Sequence, residues 1–317
     1  MKSKVLADIG RLDFNNGAAE APVGVVVVNH NLPAETLRCV RGVLAGTVRP
    51  MSVVVVDNGS RPEVLRALSD LPAGVEVVAL GENLGFAAAS NRGIGRVLRR
   101  DLRWVWLLNN DVVPEQDSLE ILLQVGEGLP KAGILSPLVR RLSDGRVWHQ
   151  GAREGGRFGL LPEGLATASG EAVAVDYVSG CAMLVRRDLF EAVGPLDEGF
   201  FAYYEELDFC CRARAAGFSI FVIPSAIVWH EVGATGRLLP TQTRFHRARS
   251  RIRFYRRYGA PRLLVLPLVI ASTLVWSGRC LLEADLAGAS ATLAGLWAGL
   301  RADLRPSYGI WPTTGNL

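Results

Sequence analysis

The stretch "VGVVVVNHNLPAETLRCVRGVL" (residues 23–44) decides the fold class of this chain. It opens with a run of β-branched residues, which is typical of a strand buried on both faces of a parallel sheet. A helical pattern follows over 34–45, directly after Pro33. A buried strand followed at once by a helix is the repeating unit of an α/β protein.

The same alternation continues to residue 110. Further strands are predicted at 51–58, 75–80 and 103–110, with helices near 61–70 and over 85–100. Strands that alternate with helices are joined by right-handed crossovers. The sequence therefore predicts a doubly wound, mostly parallel sheet flanked by helices.

The second half of the chain is less regular. The pattern predicts a helix near 116–128 and a strand at 132–137, followed by loops and short hairpins over 144–170. Two short strands are predicted about Gly180 within 174–187, and a helix at the carboxylates described below. A last strand is predicted at 218–224, which ends at Pro224 and precedes "AIVWH" (226–230).

Composition limits the class of protein. The 317 residues are 49% apolar and 21% charged, which is ample material for a core in one large domain or two smaller ones. The five cysteines are odd in number and form no CxxC pair, which argues against a disulfide framework or a structural zinc site and fits a reducing cytosol. Residues 1–21 lack the apolar run of a signal peptide, so we expect a loosely held leader.

Polar residues end three of the predicted strands. Asn29, Asp57 and the turn Asn109 to Asp111 follow apolar runs. The ligand of an open α/β sheet sits beyond the carboxyl ends of its strands. Any one of these residues alone is more often a turn or helix cap, but three strand ends together favour a ligand site.

The segment "LLNNDVVPE" (107–115) suits a divalent cation. Its oxygen side chains lie on a short turn, after which Pro114 is expected to open a helix, and such ligands are preferred by Mg²⁺ and Mn²⁺. Asp111 supplies only one carboxylate, which is few protein ligands for a metal site. His230, at the end of a predicted strand near the C-terminal end of the domain, is the candidate second ligand. The alternative for His230 is a partly buried histidine bonded to a backbone carbonyl.

The segment "YYEELDFCCRARAAGF" (203–218) crowds three carboxylates among apolar neighbours. Acids in the first turn of a helix would interact favourably with its dipole. A catalytic acid/base site would also use them, because burial and like charges raise the pKa of a carboxylate. Glu205 and Asp208 share one side of a helix, whereas Glu206 projects about 100° away from Glu205; Arg212 is near enough to bond to one of the acids.

Together these motifs resemble family 2 glycosyltransferases. "VVVVNHN", "VVVVDNGS", "NLGFAAASNRGI", "LLNNDV" and the long block from 176 to 230 occur in that family's order, closest to the bacterial rhamnosyltransferase-like branch. The resemblance spans roughly residues 22–260. It implies a GT-A fold and inverting transfer of a sugar, with dTDP-rhamnose favoured as the nucleoside-diphosphate donor. The implied acceptor is a glycan or polyprenol-linked glycan of cell-surface polysaccharide.

The resemblance also implies residue roles. Asp57 would hydrogen-bond the base or ribose of the donor, with Asn29 beside it, and Asn83 and Asn91 would lie near the donor. Asn109 and Gly180 would line the substrate site, and Asp111 and His230 would bind Mg²⁺ or Mn²⁺. Glu206 falls where the family places its base. Glu205 and Asp208 stay candidate catalytic residues, either as the base themselves or by orienting the site or bonding to arginines. Three positions depart from the family pattern: Asn109 replaces an acid of the DxD motif, Glu206 replaces an aspartate, and Asn29-His30 stands where Thr-Tyr is usual.

The implied organisation is a GT-A catalytic domain over 22–240, with a donor half (about 22–115) and an acceptor half (about 116–240), and a helical extension over 241–317. Two other functions stay open. A nucleotidyltransferase would need a glycine-rich triphosphate loop, which "NHNLPAE" lacks. A membrane-associated assembly factor would keep the fold without catalysis.

The basic tail is the last feature. Between Val232 and Leu282 there are ten arginines and no acid, and an apolar stripe includes Ala248, Ile252 and Tyr255. One interpretation is that the helix lies on an anionic cytoplasmic leaflet and is anchored there by this stripe and the arginines. The other is that the stripe packs on the catalytic domain, with the arginines either in solvent or facing the donor diphosphate. No recognition motif points to nucleic acid. The apolar run 263–276, interrupted by Pro267, is short for a membrane span, and a helix that lies in the membrane plane or docks on the domain stays open.

The final segment after Leu282 would pack on this tail or on a second subunit, as in a homodimer. The expected location is the cytoplasm, at the inner face of the cell membrane.

Overall fold

One ten-stranded sheet organises the part of the chain that the computed structural model describes, residues 17–154, 160–161, 171–233, 239–259 and 262–308. Its first four strands are parallel and lie in the order β3-β2-β1-β4. They are β1 (Ala19–Asn29), β2 (Val48–Asp57), β3 (Val75–Ala79) and β4 (Trp104–Asn109). This is the predicted doubly wound half. Most of the predicted leader, 1–16, and much of the predicted loop region, 155–159 and 162–170, lie outside the described residues.

The other half of the sheet is mixed. Strand β11 runs antiparallel between β4 and β6, and β12 runs parallel to β6. Here the strands are β5 (Val112–Pro114), β6 (Ala132–Arg141), β7 (Val147–His149), β10 (Val173–Val175), β11 (Ala182–Arg186) and β12 (Ser219–His230); a separate pair is β8 (Arg153–Glu154) and β9 (Leu160–Leu161). The antiparallel β11 makes the sheet mixed rather than uniformly parallel.

Two predicted boundaries were wrong. The strand expected to end at Pro224 and the following "AIVWH" are one strand, β12, with a register shift between Ile223 and Ile227 that accommodates the proline. Pro114 does not open a helix, because it pairs with Val228 in β5.

Helices cover both faces of the sheet. They are α1 (Pro33–Leu44), α2 (Pro62–Ala67), α3 (Phe86–Val97), α4 (Ser118–Glu127), α5 (Arg187–Val193) and α6 (Glu205–Ala215), with 3-10 turns at Leu68–Asp70 and Glu198–Phe200. Alternate valines of β1 serve the two sides: Val25 joins the cluster that contains α1 and α4, and Val26 joins the cluster that contains α3, α5 and α6. Burying each of these valines stabilises the sheet by about 1.5–3 kcal/mol.

Three helices follow the sheet: α7 (Pro240–Tyr258), α8 (Arg262–Leu282) and α9 (Leu286–Arg301). They pack around Ile252, Val265, Val269 and Leu296. The predicted stripe on α7 is therefore confirmed where Ile252 is buried. Helix α8 continues through Pro267, so the predicted interruption is absent. By length and composition α8 could cross a membrane, a test that core helices of soluble proteins also pass.

Two arginines of α7 point inward, which neither sequence interpretation anticipated. Arg253 is 2% exposed and its Nη2 lies 2.8 Å from Asp197 Oδ2. Arg257 Nη1 bridges Asp197, at 2.8 Å, and Asp208, at 2.5 Å. Buried acids attract these arginines, so this part of α7 is held against the 3-10 turn at Glu198–Phe200 and helix α6 rather than turned to solvent. We refer to Asp197, Asp208, Arg253 and Arg257 as the ion cluster.

Candidate active site

The ends of β1 and β2 form a buried polar network. Asn29 and Asp57 are register partners, and Asn29 Nδ2 donates to Asp57 Oδ1 at 2.7 Å. Thr36 Oγ1 donates to Asn29 Oδ1 at 2.8 Å, and Asn110 Nδ2 donates to Thr36 Oγ1 at 3.1 Å. The backbone N–H of Ser60 donates to Asp57 Oδ2 at 3.0 Å. The strand ends predicted to converge are thus together, with rigid polar groups at the carboxyl edge.

Asp111 and His230 meet at the same edge. His230 pairs with Val112 across β12 and β5, and its Nε2 lies 3.2 Å from Asp111 Oδ1. Both side chains are buried, and the ring of Trp148 meets His230 edge-on at 4.6 Å. His230 Nδ1 is buried without a hydrogen-bond partner among the described residues.

The Asp111–His230 pair fits a small divalent cation. Neighbouring ligands of an octahedral ion at about 2.1 Å lie about 3 Å apart, close to the separation of these two atoms. No group of three or more His, Cys, Asp or Glu within the described ranges could hold a metal. An ion here would therefore take its other ligands from substrate phosphates and water.

The carboxylate segment begins helix α6, so the helix-terminus interpretation is confirmed. The three acids lie in its first turn. Phe201, Tyr203 and Tyr204, just before it, have φ of 63°, 66° and 70°. Non-glycine residues in this left-handed region cost free energy and cluster at functional sites. The turn that presents the acids is therefore strained.

Burial perturbs the first two acids. Burial, with a smaller contribution from Glu206, raises the pKa of Glu205 well above its usual range. Burial also raises the pKa of Glu206, although backbone N–H groups and the Tyr177 hydroxyl oppose the rise. A carboxylate with a raised pKa can take a proton near neutral pH.

Glu206 is half-buried between Tyr177 and Gly180. Tyr177 OH donates to its Oε1 at 3.1 Å, while Oε2 has no hydrogen-bond partner among the described residues. Gly180 lies against it, since a Cβ at that position would be 3.1 Å from Glu206 Cβ. The glycine leaves room for the acid, and the buried Oε2 is left without a hydrogen-bond partner among the described residues.

Segment 177–181 links the metal-site candidates to Glu206. Burial raises the pKa of Cys181 to about 12, and both Asp111 and Glu206 add to the rise. Both acids therefore act on one thiol. Asn109 lies beside it, because its N–H donates to the Cys181 carbonyl at 2.9 Å, and its Oδ1 is buried without a partner in the described part of the chain.

Asp208 has a different environment from its neighbours. It is fully buried, and Tyr258 OH donates to its Oδ1 at 2.7 Å. Arg212 Nε donates to Oδ2 at 2.8 Å, which is the arginine contact suggested by the sequence. With Arg257 also bonded to it, Asp208 fixes helix α6, and both of its oxygens are occupied by these partners.

Asn83 and Asn91 brace loops. Asn83 Oδ1 accepts from Asn58 Nδ2 and from Gly85 N, both at 3.0 Å, which shapes the turn before α3. Asn91 Nδ2 donates to the Leu196 carbonyl at 2.8 Å, and its Oδ1 accepts from Leu196 N at 3.0 Å. Asn91 thus ties α3 to the segment leading to the ion cluster.

Sequence reasoning missed Thr36, Ser60, Trp148, His149 and Tyr177. Trp148 and His149 lie in the stretch interpreted as loops and hairpins, and Tyr177 follows that stretch. The sequence there has no helical or strand periodicity that would indicate a functional residue. The only local signal was the pair Trp148-His149, two large rings beside a glycine-rich run.

Residues 24–194 match the family model described as "Glycosyl transferase family 2". The chain belongs to glycosyl transferase family 2. The match ends before Glu206, so the carboxylate helix lies beyond it. A GT-A sheet with its polar strand ends is the architecture of this class of sugar-transferring enzymes, and the predicted fold is confirmed.

Within the family, the relatives are rhamnosyltransferases and related glycosyltransferases. The chain is 30% identical over 238 residues to "N-acetylglucosaminyl-diphospho-decaprenol L-rhamnosyltransferase" of Mycobacterium tuberculosis, which covers 67% of this chain and 77% of that one. It is 25% identical over 229 residues to "dTDP-rhamnosyl transferase RfbF" of Shigella flexneri, over 69% and 76% of the two chains.

Solved structures share the fold. The mannosyltransferase PcManGT from Pyrobaculum calidifontis, in complex with GDP-Man and Mn²⁺, matches with a TM-score of 0.51 and 14% identity over 94% of this chain and 93% of that one. GalNAc-T7 with UDP, GalNAc and Mn²⁺ matches with a TM-score of 0.53 and 20% identity over 66% and 43%.

Proposed function

We propose that this glycosyltransferase inverts the anomeric centre as it transfers a deoxyhexose such as rhamnose from a nucleoside diphosphate, with dTDP-rhamnose favoured. The acceptor is a glycan or polyprenol-linked glycan of cell-surface polysaccharide. One observation carries the proposal: a short run of contacts joins the two groups. Half-buried Glu206 lies against Gly180, and the carbonyl of the next residue, Cys181, accepts from Asn109 N, two residues before the Asp111 that pairs with His230. This arrangement would place an acid for deprotonation and a site for a diphosphate beside one sheet edge.

The Asn29–Asp57 network supports a nucleoside site. A carboxylate has about four acceptor positions, and Asn29 Nδ2 and Ser60 N occupy two of those on Asp57. The remaining positions can accept from the imide N–H of a thymine or uracil, or from a ribose hydroxyl. Because Asp57 is held from two sides, it needs little reorganisation on binding.

Asp111 and His230 would hold Mg²⁺ or Mn²⁺. The ion would supply positive charge that stabilises the diphosphate as it leaves. His230 would orient through the edge contact with Trp148, and Asp111 is tied in place because its backbone carbonyl accepts from Glu231 N at 2.9 Å. Asn109, whose buried Oδ1 has no partner among the described residues, lies beside this site as a further substrate contact.

Glu206 is the proposed general base. It removes the proton of the acceptor hydroxyl as the oxygen attacks the anomeric carbon from the face opposite the diphosphate. Burial raises the pKa of Glu206, as it does that of the neighbouring Glu205, and Gly180 leaves room beside the base. Asp208 anchors the helix that carries both.

We propose that the catalytic unit spans 22–240, with a donor half at about 22–115 and an acceptor half at about 116–240. The extension 241–317 then completes this unit through the ion cluster.

A membrane surface is the proposed partner of α8 and α9. Their exposed apolar side chains include Leu268 (56%), Val275 (62%), Trp276 (44%), Leu282 (89%), Leu286 (71%) and Trp297 (57%). Arg251 lies over the Trp276 ring at 4.4 Å and Arg301 over the Trp297 ring at 4.0 Å. Tryptophan and arginine together favour the headgroup region, and the lack of acids over 232–282 favours anionic lipid. The proposed location is the cytoplasmic face of the cell membrane.

Vesicle sedimentation tests this surface. The expected result is binding to phosphatidylglycerol vesicles but not to phosphatidylcholine vesicles, lost in the Leu268→Glu/Val275→Glu double variant. Leu65→Glu, on the exposed side of α2, is the matched control and should still bind. No sedimentation, together with a dimer in light scattering that the double variant dissociates, would assign the face to a second copy instead.

The first test of the function is calorimetric titration with dTDP, UDP and GDP, each with and without Mn²⁺. The expected result is Mn²⁺-dependent binding, tightest for dTDP and lost in Asp111→Ala. Glu206→Gln should bind the nucleotide normally but lose hydrolysis of the donor sugar. Failure of every nucleotide to bind in the presence of Mn²⁺ would refute the donor site and favour a fold without catalysis.

A further inference from the structure

Tyr177 stands next to the proposed base and has no role in the donor site. We propose that Tyr177 is a positioning residue for the general base: its hydroxyl holds Oε1 of Glu206, so that Oε2 is the oxygen that takes the acceptor proton. This assignment rests on the proposed role of Glu206. The two oxygens already differ, since Oε1 accepts the Tyr177 hydroxyl at 3.1 Å and Oε2 has no hydrogen-bond partner among the described residues.

Tyr177 is rigidly mounted. Its backbone pairs with Ala152 in an antiparallel bridge, with Ala152 N donating to the Tyr177 carbonyl at 3.0 Å. The ring of His149 meets the Tyr177 ring edge-on at 5.4 Å. Because the backbone and the ring of Tyr177 are both held in place, its hydroxyl can fix the rotamer of the Glu206 carboxylate with little loss of entropy.

His149 stays neutral beside Tyr177. The backbone N–H of Ser179 donates to His149 Nε2 at 2.9 Å, so in the neutral ring the proton sits on Nδ1. Burial lowers the pKa of His149 to about 4, which keeps the ring neutral at working pH. His149 therefore braces Tyr177 without adding charge to the site.

The short strand β7 braces both halves of the site. Between His149, paired with Val139, and Val147, paired with Arg140, the register shifts by one residue at Trp148. A bulge of this kind re-aims a side chain. Trp148 then contacts His230, and the next residue, His149, contacts Tyr177.

The hydroxyl of Tyr177 stays a donor throughout. Burial, with a contribution from Glu206, raises the pKa of Tyr177 well above its usual value. In the transfer step, the acceptor O–H proton moves to Glu206 Oε2 and the acceptor oxygen bonds to the anomeric carbon. The bond from that carbon to the diphosphate oxygen breaks, and its electron pair leaves with the diphosphate. Tyr177 keeps its proton.

Several titratable groups surround Glu206. Glu205, Tyr204 and Cys210 face it from the α6 end, and Tyr177 and Cys181 face it from the neighbouring segment. Of these, the Tyr177 bond stabilises the ionised form of Glu206 directly. Losing that bond therefore makes the base protonate at a higher pH.

The test compares Tyr177→Phe with Tyr258→Phe. Each change removes one hydroxyl from a carboxylate of α6, Glu206 in the first case and Asp208 in the second. The Tyr177 change should lower kcat about tenfold, the typical effect of a hydrogen bond to a charged group, with an unchanged dTDP affinity and the acid limb of kcat moved to higher pH. The Tyr258 change should lower Tm and leave the acid limb in place.

Two further variants separate the possible failures. In a Glu206→Gln background, Tyr177→Phe should cause no additional loss, because it acts through Glu206. Glu206→Asp withdraws the carboxylate from Tyr177 by about 1 Å and should also move the acid limb upward, without disturbing the ring's packing. A Tyr177→Phe enzyme with normal kcat and acid limb, alongside an inactive Glu206→Gln enzyme, would overturn the role of Tyr177 alone. An active Glu206→Gln enzyme would overturn the proposed base as well.

Discussion

Replacing Arg257 with methionine should lower the melting temperature of the protein by several degrees. Its guanidinium side chain is 12% exposed and bridges two acids whose side chains are fully buried, Asp197 and Asp208. Breaking a buried ion pair on one side costs about 3–5 kcal/mol, because a desolvated charge is left without its partner. Here Asp197 keeps Arg253, and Asp208 keeps Arg212 and Tyr258. The cost should therefore lie at the lower end, about 3 kcal/mol.

The shift in melting temperature follows from the size of the chain. Unfolding 317 residues carries an entropy of about 0.7 kcal/mol/K, so about 3 kcal/mol lowers Tm by about 4–5 °C. Donor hydrolysis should fall with it at temperatures near the new Tm, because Asp208 anchors the helix of Glu206.

Differential scanning calorimetry at pH 7 gives the measurement, with Arg251→Met as the control. Arg251 lies on the same helix, over the Trp276 ring at 4.4 Å and 3.4 Å from Thr273 Oγ1. Removing such a cation costs about 0.5–1 kcal/mol, which is at most about 2 °C here. Equal losses of Tm in the two variants, or a loss under about 1 °C for Arg257→Met, would refute the buried bridge.

Three other changes have defined outcomes. Burial works to raise the pKa of Asp197, but the Ser307 N–H and Arg253 outweigh it and hold this pKa below its usual value. The stabilisation from this carboxylate is therefore complete well above its unfolded pKa of about 4 and is lost as the pH falls through the lower folded pKa. Asp197→Asn should accordingly lose less stability than wild type as the pH falls from about 5 to about 2 in urea titrations. Gly180→Ala places a Cβ 3.1 Å from Glu206 Cβ and should reduce turnover about tenfold with unchanged dTDP binding. Turnover equal to that of the wild type would show that Glu206 can shift to accommodate the methyl group without loss of activity. Asp111→Asn should weaken Mn²⁺ binding at least about tenfold in paramagnetic resonance titrations, and unchanged binding would place the ion elsewhere.

The parallel half of the fold was predictable because its signal is local. The valine runs of β1 and β2 can only be buried on both faces, so residues 23–29 and 51–58 specify central strands without knowledge of their partners. The prolines of the second half misled the boundaries. Pro137 and Pro224 both lie at an irregularity of the β6–β12 pairing, where the ladder shifts register and a missing N–H is tolerated.

The site was predictable where strand ends determine it. Asn29 and Asp57 converge because parallel strands bring their carboxyl ends to one edge. Contacts between distant segments could not be inferred in the same way. The Tyr177–Glu206 bond joins residues 29 apart, and the Arg257–Asp208 bond joins residues 49 apart. An arginine-rich helix has the same local pattern whether its charges face lipid or buried acids, so the inward turn of α7 needed the tertiary structure.

The bond between Asp197 Oδ1 and the backbone N–H of Ser307 joins residues 110 apart in the chain. At a synthesis rate of about 5–20 residues per second, the ribosome makes Ser307 about 5 to 20 s after Asp197. During that interval the nascent chain already carries Asp197, while its partners Arg253 and Arg257 are made later and the Ser307 N–H later still. A ribosome stalled before residue 253 would hold Asp197 without either arginine partner and without the Ser307 N–H, so the turn that leads into helix α6 would still lack its anchors.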